Sequence, residues 1–205
     1  TVDADGGWSV VIPRTLIPEG ETDLPVSAVS TDIAGNSATA SGSIDIDTAT
    51  AVTVDAESVA GDGVINRDER DASVQLTGTA EVGATVVVTV GDAPNGVSLE
   101  PTAVDAEGNW SVTIPTPLIP TGVASLPVSV VSTDQAGNSA TASGAIDIDT
   151  VTDLSVNDDQ VTGDGTINET EQTIGADLTG QAEPGATVVV TVGAGAGATE
   201  LDPVT

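Results

Sequence analysis

The stretch "ATVVVTVG", Ala84–Gly91, decides the fold. Its run of β-branched side chains suits a pleated sheet and loses rotamer freedom in a helix. The same eight letters return as Ala186–Gly193, 102 positions further on. That offset holds across the chain without a gap: Trp8 maps to Trp110, Gly35 to Gly137, Asp47 to Asp149 and Gly61 to Gly163. Residues 1–48 match 103–150 at 35 of 48 positions. Residues 49–103 match 151–205 at 25 of 55, with "GDGxIN" and "GATVVVTVG" kept whole. A period of this length is too long for a solenoid unit and is the size of a small domain.

The phase of the repeat sets the expected domains. With a unit starting just after "DIDT", residues 50–150 form one complete repeat. Residues 1–49 then read as the C-terminal half of a preceding unit, and 151–205 as the N-terminal half of a following one. Neither half is expected to bury a core alone. Each is expected to be completed in head-to-tail register, either by a neighbouring chain or by the continuation of a longer array of repeats.

Within 50–150, "NWSVTIP" alternates Trp110, Val112 and Ile114 on one face with Ser111 and Thr113 on the other. "LPVSVVSTD" and "SATASGAIDID" are further extended segments. Turn residues separate them, among them Val82-Gly83, Pro94-Asn95-Gly96, Glu107-Gly108-Asn109 and Ala136-Gly137-Asn138. About seven short strands in ~100 residues is the pattern of an all-β, immunoglobulin-like sandwich. Cys is absent, so the disulfide of antibody domains is absent too. Trp8 and Trp110 share strand faces with Val and Ile and read as core residues.

Composition removes several function classes. The chain carries 32 acidic residues, three arginines, no lysine and no histidine, a formal charge of −29. Phosphate recognition needs a basic face, so nucleic acid is excluded, and anionic membrane surfaces are disfavoured. No apolar run approaches the ~18 residues of a membrane span. With 39% hydrophobic residues in alternating order, this acidity belongs to a folded protein. Without His, Cys, Lys or Tyr, acid–base chemistry would fall to a carboxylate pair, and no pair stands out. No enzymatic activity and no small-molecule substrate are expected. Aromatic or convergent polar platforms for a ligand are also scarce.

The carboxylates recur in place. In "IDIDT", Asp45 and Asp47 share one strand face, as do Asp147 and Asp149. Two readings fit: a solvated outer face, or a pair of ligands leaning onto one ion at a domain boundary. "GDGVINRDE" resembles the back half of an EF-hand loop, with Asp62 and Glu69 at ligand positions. Asp164 and Glu171 repeat them. Ser58 and Ala60 fall where the front ligands belong, so a true EF-hand is not expected. Asn66 with Glu69 also reads as a helix capping box, which leaves Asp62 without a capping role. "TDxAGN" supplies Asp32 and Asp134 from tight turns, where turn bonding and ligation both fit. Asn36 and Asn138 read as turn residues. All-oxygen ligands of this kind suit Ca2+; magnesium usually keeps several waters. The 14 acids and two arginines of residues 50–150 repel one another, so an ion bound only by the fold would stabilise it.

Together "VDADGGWSVVIP", "STDIAGNSATASG", "IDIDTAT", "GDGVINRDE" and "LTGTAEVGATVVVTVG" resemble the tandem bacterial immunoglobulin-like repeats of very large surface adhesins. That group includes the calcium-dependent biofilm and repeats-in-toxin adhesins of Gram-negative bacteria. The resemblance covers essentially the whole chain. It implies extender domains in a rod, secreted to the bacterial cell surface, with calcium stiffening the junctions and a distal domain performing adhesion. A lectin-like or ice-binding module is the alternative, although such a tip would not repeat at 102.

Overall fold

The computed structural model describes residues 2–205; Thr1, the first residue of the 1–49 segment, lies outside the described residues. The chain divides into two compact units, Thr1–Asp149 and Thr150–Thr205.

The first unit opens with two long strands, β1 (Glu21–Thr31) and β2 (Ser37–Asp47). They pair antiparallel in full register, Glu21 opposite Asp47 and Thr31 opposite Ser37. The turn between them is the first "TDxAGN". There follow β3 (Val64–Ile65), helix α1 (Arg67–Ala72), β4 (Val74–Thr79), β5 (Thr85–Val90), β6 (Val97–Ser98), β7 (Thr102–Ala103), β8 (Asn109–Ile114), β9 (Val123–Thr133) and β10 (Ser139–Asp149).

These later strands build the sandwich. One layer pairs β4 with β8, Leu76 opposite Val112 and Gly78 opposite Trp110. Asp55 bridges to Thr77 on the other side of β4, and Val52 to Ala80 just past its end. The second layer runs β3-β10-β9-β5-β6, with β7 also on β5. Strand β3 joins it parallel to β10, Ile65 opposite Ile148, and the other pairings are antiparallel. Alternation along each strand sends Val74, Leu76, Trp110 and Ile114 inward from one layer. Val86, Val88, Val90, Leu126, Val128, Val130, Ile146 and Ile148 meet them from the other, in one continuous core. This is an all-β, immunoglobulin-like sandwich with open sheets.

Gly78 shows how tightly the first layer packs. A Cβ there would run into the Thr53 carbonyl and the Trp110 ring. The six-residue helix α1 begins at a complete capping box: Asn66 Oδ1 accepts from Glu69 N at 3.0 Å, and Asn66 N donates to Glu69 Oε2 at 3.0 Å.

The second unit contains β11 (Leu154–Val156), helix α2 (Glu169–Ile174), β12 (Gly180–Ala182), β13 (Thr191–Val192) and β14 (Thr199–Glu200). Strand β11 pairs with β12, and β13 with β14. From residue 151 onward no residue is buried, and none is buried among residues 2–49. The repeat makes the contrast direct. Trp110 is 2% exposed while Trp8 is 64% exposed; Leu76 is 0% exposed while Leu178 is 46% exposed. Segments related by the repeat are therefore covered in one copy and open in the other, where Trp8 and Leu178 lie outside any strand. Among the described residues no helix is long and apolar enough to cross a membrane.

Candidate metal centre

The end of β2 meets two loops of the sandwich. Asp47 closes β2, Glu81 lies in the turn between β4 and β5, and Asp134 sits in the second "TDxAGN" turn, after β9. Carboxylate oxygens of these three residues all lie within 4.8 Å of one another. Asp134 is buried, and Asp47 and Glu81 are half-buried.

Each member is held differently. Asp134 Oδ1 accepts from the backbone N–H groups of Gly137 (2.7 Å) and Asn138 (2.8 Å). Its Oδ2 accepts from Asn138 Nδ2 at 2.8 Å. Burial pushes the Asp134 carboxyl towards protonation, but the Asn138 amide and the backbone N–H groups of Asn138, Gly137 and Ala136 outweigh it. The net pKa falls below the ordinary 3.8, so Asp134 is an anion at neutral pH. Asp47 Oδ1 accepts from Ala49 N at 3.3 Å and from Asn138 Nδ2 at 3.0 Å. Glu81 Oε2 is buried and has no hydrogen-bond partner. A buried polar oxygen without a donor carries a desolvation cost. Register adds a fourth acid, since Glu21 stands directly opposite Asp47 across the hairpin. Like charges in that relation repel.

A site of this kind offers hard oxygen donors, high negative charge and one oxygen without a donor. Those are properties that a divalent cation satisfies, and the donor set is all oxygen, which suits calcium.

The remaining candidates from the sequence sit elsewhere. Asp32 occupies the exposed first "TDxAGN" turn, where its oxygens accept from Asn36 N and Asn36 Nδ2, both at 2.8 Å. The Asn36 side chain foremost, with the neighbouring backbone N–H groups, holds its pKa below the ordinary value. Asp45 lies on β2 opposite Asp23. Asp147 is exposed on β10 between Ser125 and Val64. Asp149 ends β10. Asp62 Oδ1 accepts from Val64 N at 3.0 Å, and Asp164 Oδ1 from Thr166 N at 2.9 Å, both local turns. Glu69 and Glu171 complete the capping boxes of α1 and α2. The structure thus brings Asp47 and Asp134 together and keeps Asp62 and Glu69 in local bonds. Sequence reasoning passed over Glu81, although it recurs as Glu183 in the same "AExG" setting.

A wider groove runs beside Trp110, lined by Thr53, Asp55, Thr77, Asp105 and Asn109. Its two acids are engaged: Asp55 accepts from Ser58 Oγ, and Asp105 from the N–H groups of Glu107 and Asn109.

Comparison with known proteins agrees with this architecture. Residues 64–151 match the family model of the bacterial Ig domain, and through that segment the chain belongs to the bacterial Ig family. No curated protein matches the chain. Among solved structures, a tetra-tandem repeat from the extending region of a large adhesion protein is 26% identical over 98% of this chain and 49% of its own, with a TM-score of 0.42. A Ca2+-stabilized adhesin that helps an Antarctic bacterium reach out and bind ice is 30% identical over 98% of this chain and 45% of its own (TM-score 0.39). A bacterial immunoglobulin-like domain from the M. primoryensis ice-binding adhesin is 33% identical over 50% of this chain and 99% of its own (TM-score 0.35). The chain spans about half the length of the first two.

Proposed function

We propose that this chain is a length of extender repeats from a bacterial surface adhesin, and that calcium held by Asp47, Glu81 and Asp134 stiffens the junction between successive repeats. The single observation that carries the reading is the convergence of those three carboxylates from β2 and from two loops of the sandwich. Asp47 belongs to one copy of the repeat, and Glu81 and Asp134 to the next. An ion there would tie the end of one repeat to the start of its successor. The buried, unpartnered Glu81 oxygen supports the reading independently of the acid count. Calcium is preferred for its fit to an all-oxygen set and because it stabilises the Antarctic bacterium's adhesin.

In this reading 50–150 is a complete repeat, and 1–49 and 151–205 are halves that adjoining repeats complete in a head-to-tail array. The exposed Trp8 and Leu178, whose counterparts Trp110 and Leu76 are buried, support that division. The array is extracellular, lies at the cell surface and projects a distal binding domain for adhesion or biofilm formation. Its role is mechanical and not catalytic. The groove beside Trp110 keeps a ligand-binding module as the second reading, but the indole itself is only 2% exposed and offers no stacking face.

Titration calorimetry of the 205-residue chain with calcium and then magnesium tests the proposal. Calcium is expected to bind and to raise the melting temperature, and magnesium to do so far less. Equal melting in chelator and in millimolar calcium would overturn it.

A further inference from the structure

The geometry points to Asn138 as a clamp that joins the end of β2 to the β9–β10 turn without any ion. The inference rests on the reading of this site as a repeat junction, but not on calcium. The Asn138 side chain places its amide nitrogen among three acceptors: Asp134 Oδ2 at 2.8 Å, Asp47 Oδ1 at 3.0 Å and the Asp47 backbone O at 3.3 Å. A primary amide has two N–H donors. One goes to the Asp134 carboxylate within the turn; the other is shared between the two oxygens of Asp47, 91 residues away. The contacts to the two carboxylates are charge-assisted and stronger than neutral ones.

The first "TDxAGN" turn provides the comparison. There Asn36 donates its backbone N–H and its Nδ2 to Asp32, each at 2.8 Å, and Asp32 N donates to the Asn36 carbonyl at 2.9 Å. The second turn repeats this frame, with Asp134 N donating to the Asn138 carbonyl at 3.1 Å. The local frame alone therefore sets the asparagine rotamer and leaves one amide proton pointing outward. Where the end of a preceding repeat lies within reach, that proton takes its Asp47. The positive end of a neutral amide thus sits between two carboxylates that would otherwise face each other. Asn138 is a positioning residue: it presents Asp47 to Asp134 and Glu81 before any cation arrives.

The chain has no cysteine, so spin labels on Ser27→Cys and Ser111→Cys report on β1 and β8 alone. Pulsed electron paramagnetic resonance then measures the inter-label distance distribution in chelator and in calcium. The parent chain is expected to give one narrow peak in chelator, narrowed further by calcium. Asn138→Ala and Asn138→Asp are expected to lose that peak in chelator and to regain it in calcium, which a general loss of folding would not allow. Asn36→Ala, which removes the same turn bond away from the junction, is expected to keep it. A narrow peak in chelator for both Asn138 variants, or a broad one for the parent, overturns the clamp. Calcium without effect on any variant, with the chelator pattern intact, refutes the metal reading and leaves the clamp standing.

Discussion

Asn138 Nδ2 and Asp47 Oδ1 lie 3.0 Å apart although 91 residues separate them in the chain. The bond joins two copies of one repeat through residues that each copy carries, since Asn138 repeats Asn36 and Asp149 repeats Asp47. A junction built this way depends on groups that act together, and that dependence is open to test.

Removing one charge from the cluster is expected to weaken calcium binding without unfolding the sandwich. Asp47→Asn and Glu81→Gln should each lower affinity about tenfold or more, equivalent to about 1.4 kcal/mol. Asp62→Asn, whose carboxylate is engaged with Val64 N, should leave affinity unchanged. Calorimetry on the three variants side by side provides the check. Loss of binding in Asp62→Asn alone would move the site to the "GDGxIN" loop.

Acid should act on the sandwich through Asp134. Its pKa in the fold is lowered from 3.8, so the folded state favours the ionised form. The sign follows by linkage: its contribution to stability is complete above about pH 4 and is lost as pH falls through the lower folded value. Asp134→Asn is expected to be less stable at pH 7 and to show a flatter decline below pH 4. Denaturant melts at pH 7 and pH 3 measure both.

Packing at the first layer should be intolerant. Gly78→Ala places a methyl group against the Thr53 carbonyl and the Trp110 ring. A cost of about 1–3 kcal/mol is expected from overpacking at a site with rigid neighbours. Gly42→Ala, in the open hairpin with only Val26 nearby, should cost much less. A pair of urea titrations followed by circular dichroism compares them.

Trp8 reports on how the halves are completed. At 64% exposed, against 2% for Trp110, it should give red-shifted and readily quenched emission in this chain. Fusing a copy of residues 50–102 ahead of Thr1 supplies the strands that cover Trp110 in the central repeat. Emission from Trp8 should then shift to the blue and resist acrylamide. A spectrum indifferent to the fusion would overturn the division at 49/50.

Much of the fold was open to a reader of the sequence, because its signals are local. The alternation in "NWSVTIP" predicts that Trp110 and Ile114 face inward, and both are buried. The spacing of Asn66 and Glu69 predicts a capping box, and Asn168 with Glu171 repeats it in a unit where residues 151–205 bury nothing. Bonds that span three residues form wherever the sequence occurs. The same locality explains Asp62 and Asp164, which make the same short turn bond in both copies.

Other features depended on tertiary structure. Trp8 and Trp110 have nearly the same neighbours in sequence, yet only one is covered, because burial depends on strands supplied from elsewhere in the chain. Glu81 is a single acid in a turn, with no periodicity and no motif to mark it. Asn138 reads as a turn residue and is one, and its second amide proton becomes significant only when Asp47 arrives from 91 residues away. Sequence alone determined the turns and the capping boxes, since those follow from interactions within a few residues. Strands needed partners, for "ATVVVTVG" is strand over Thr85–Val90 in one copy and only over Thr191–Val192 in the other. Only the tertiary structure decided which carboxylates face one another, because that requires the closing of long loops, which local pattern does not record.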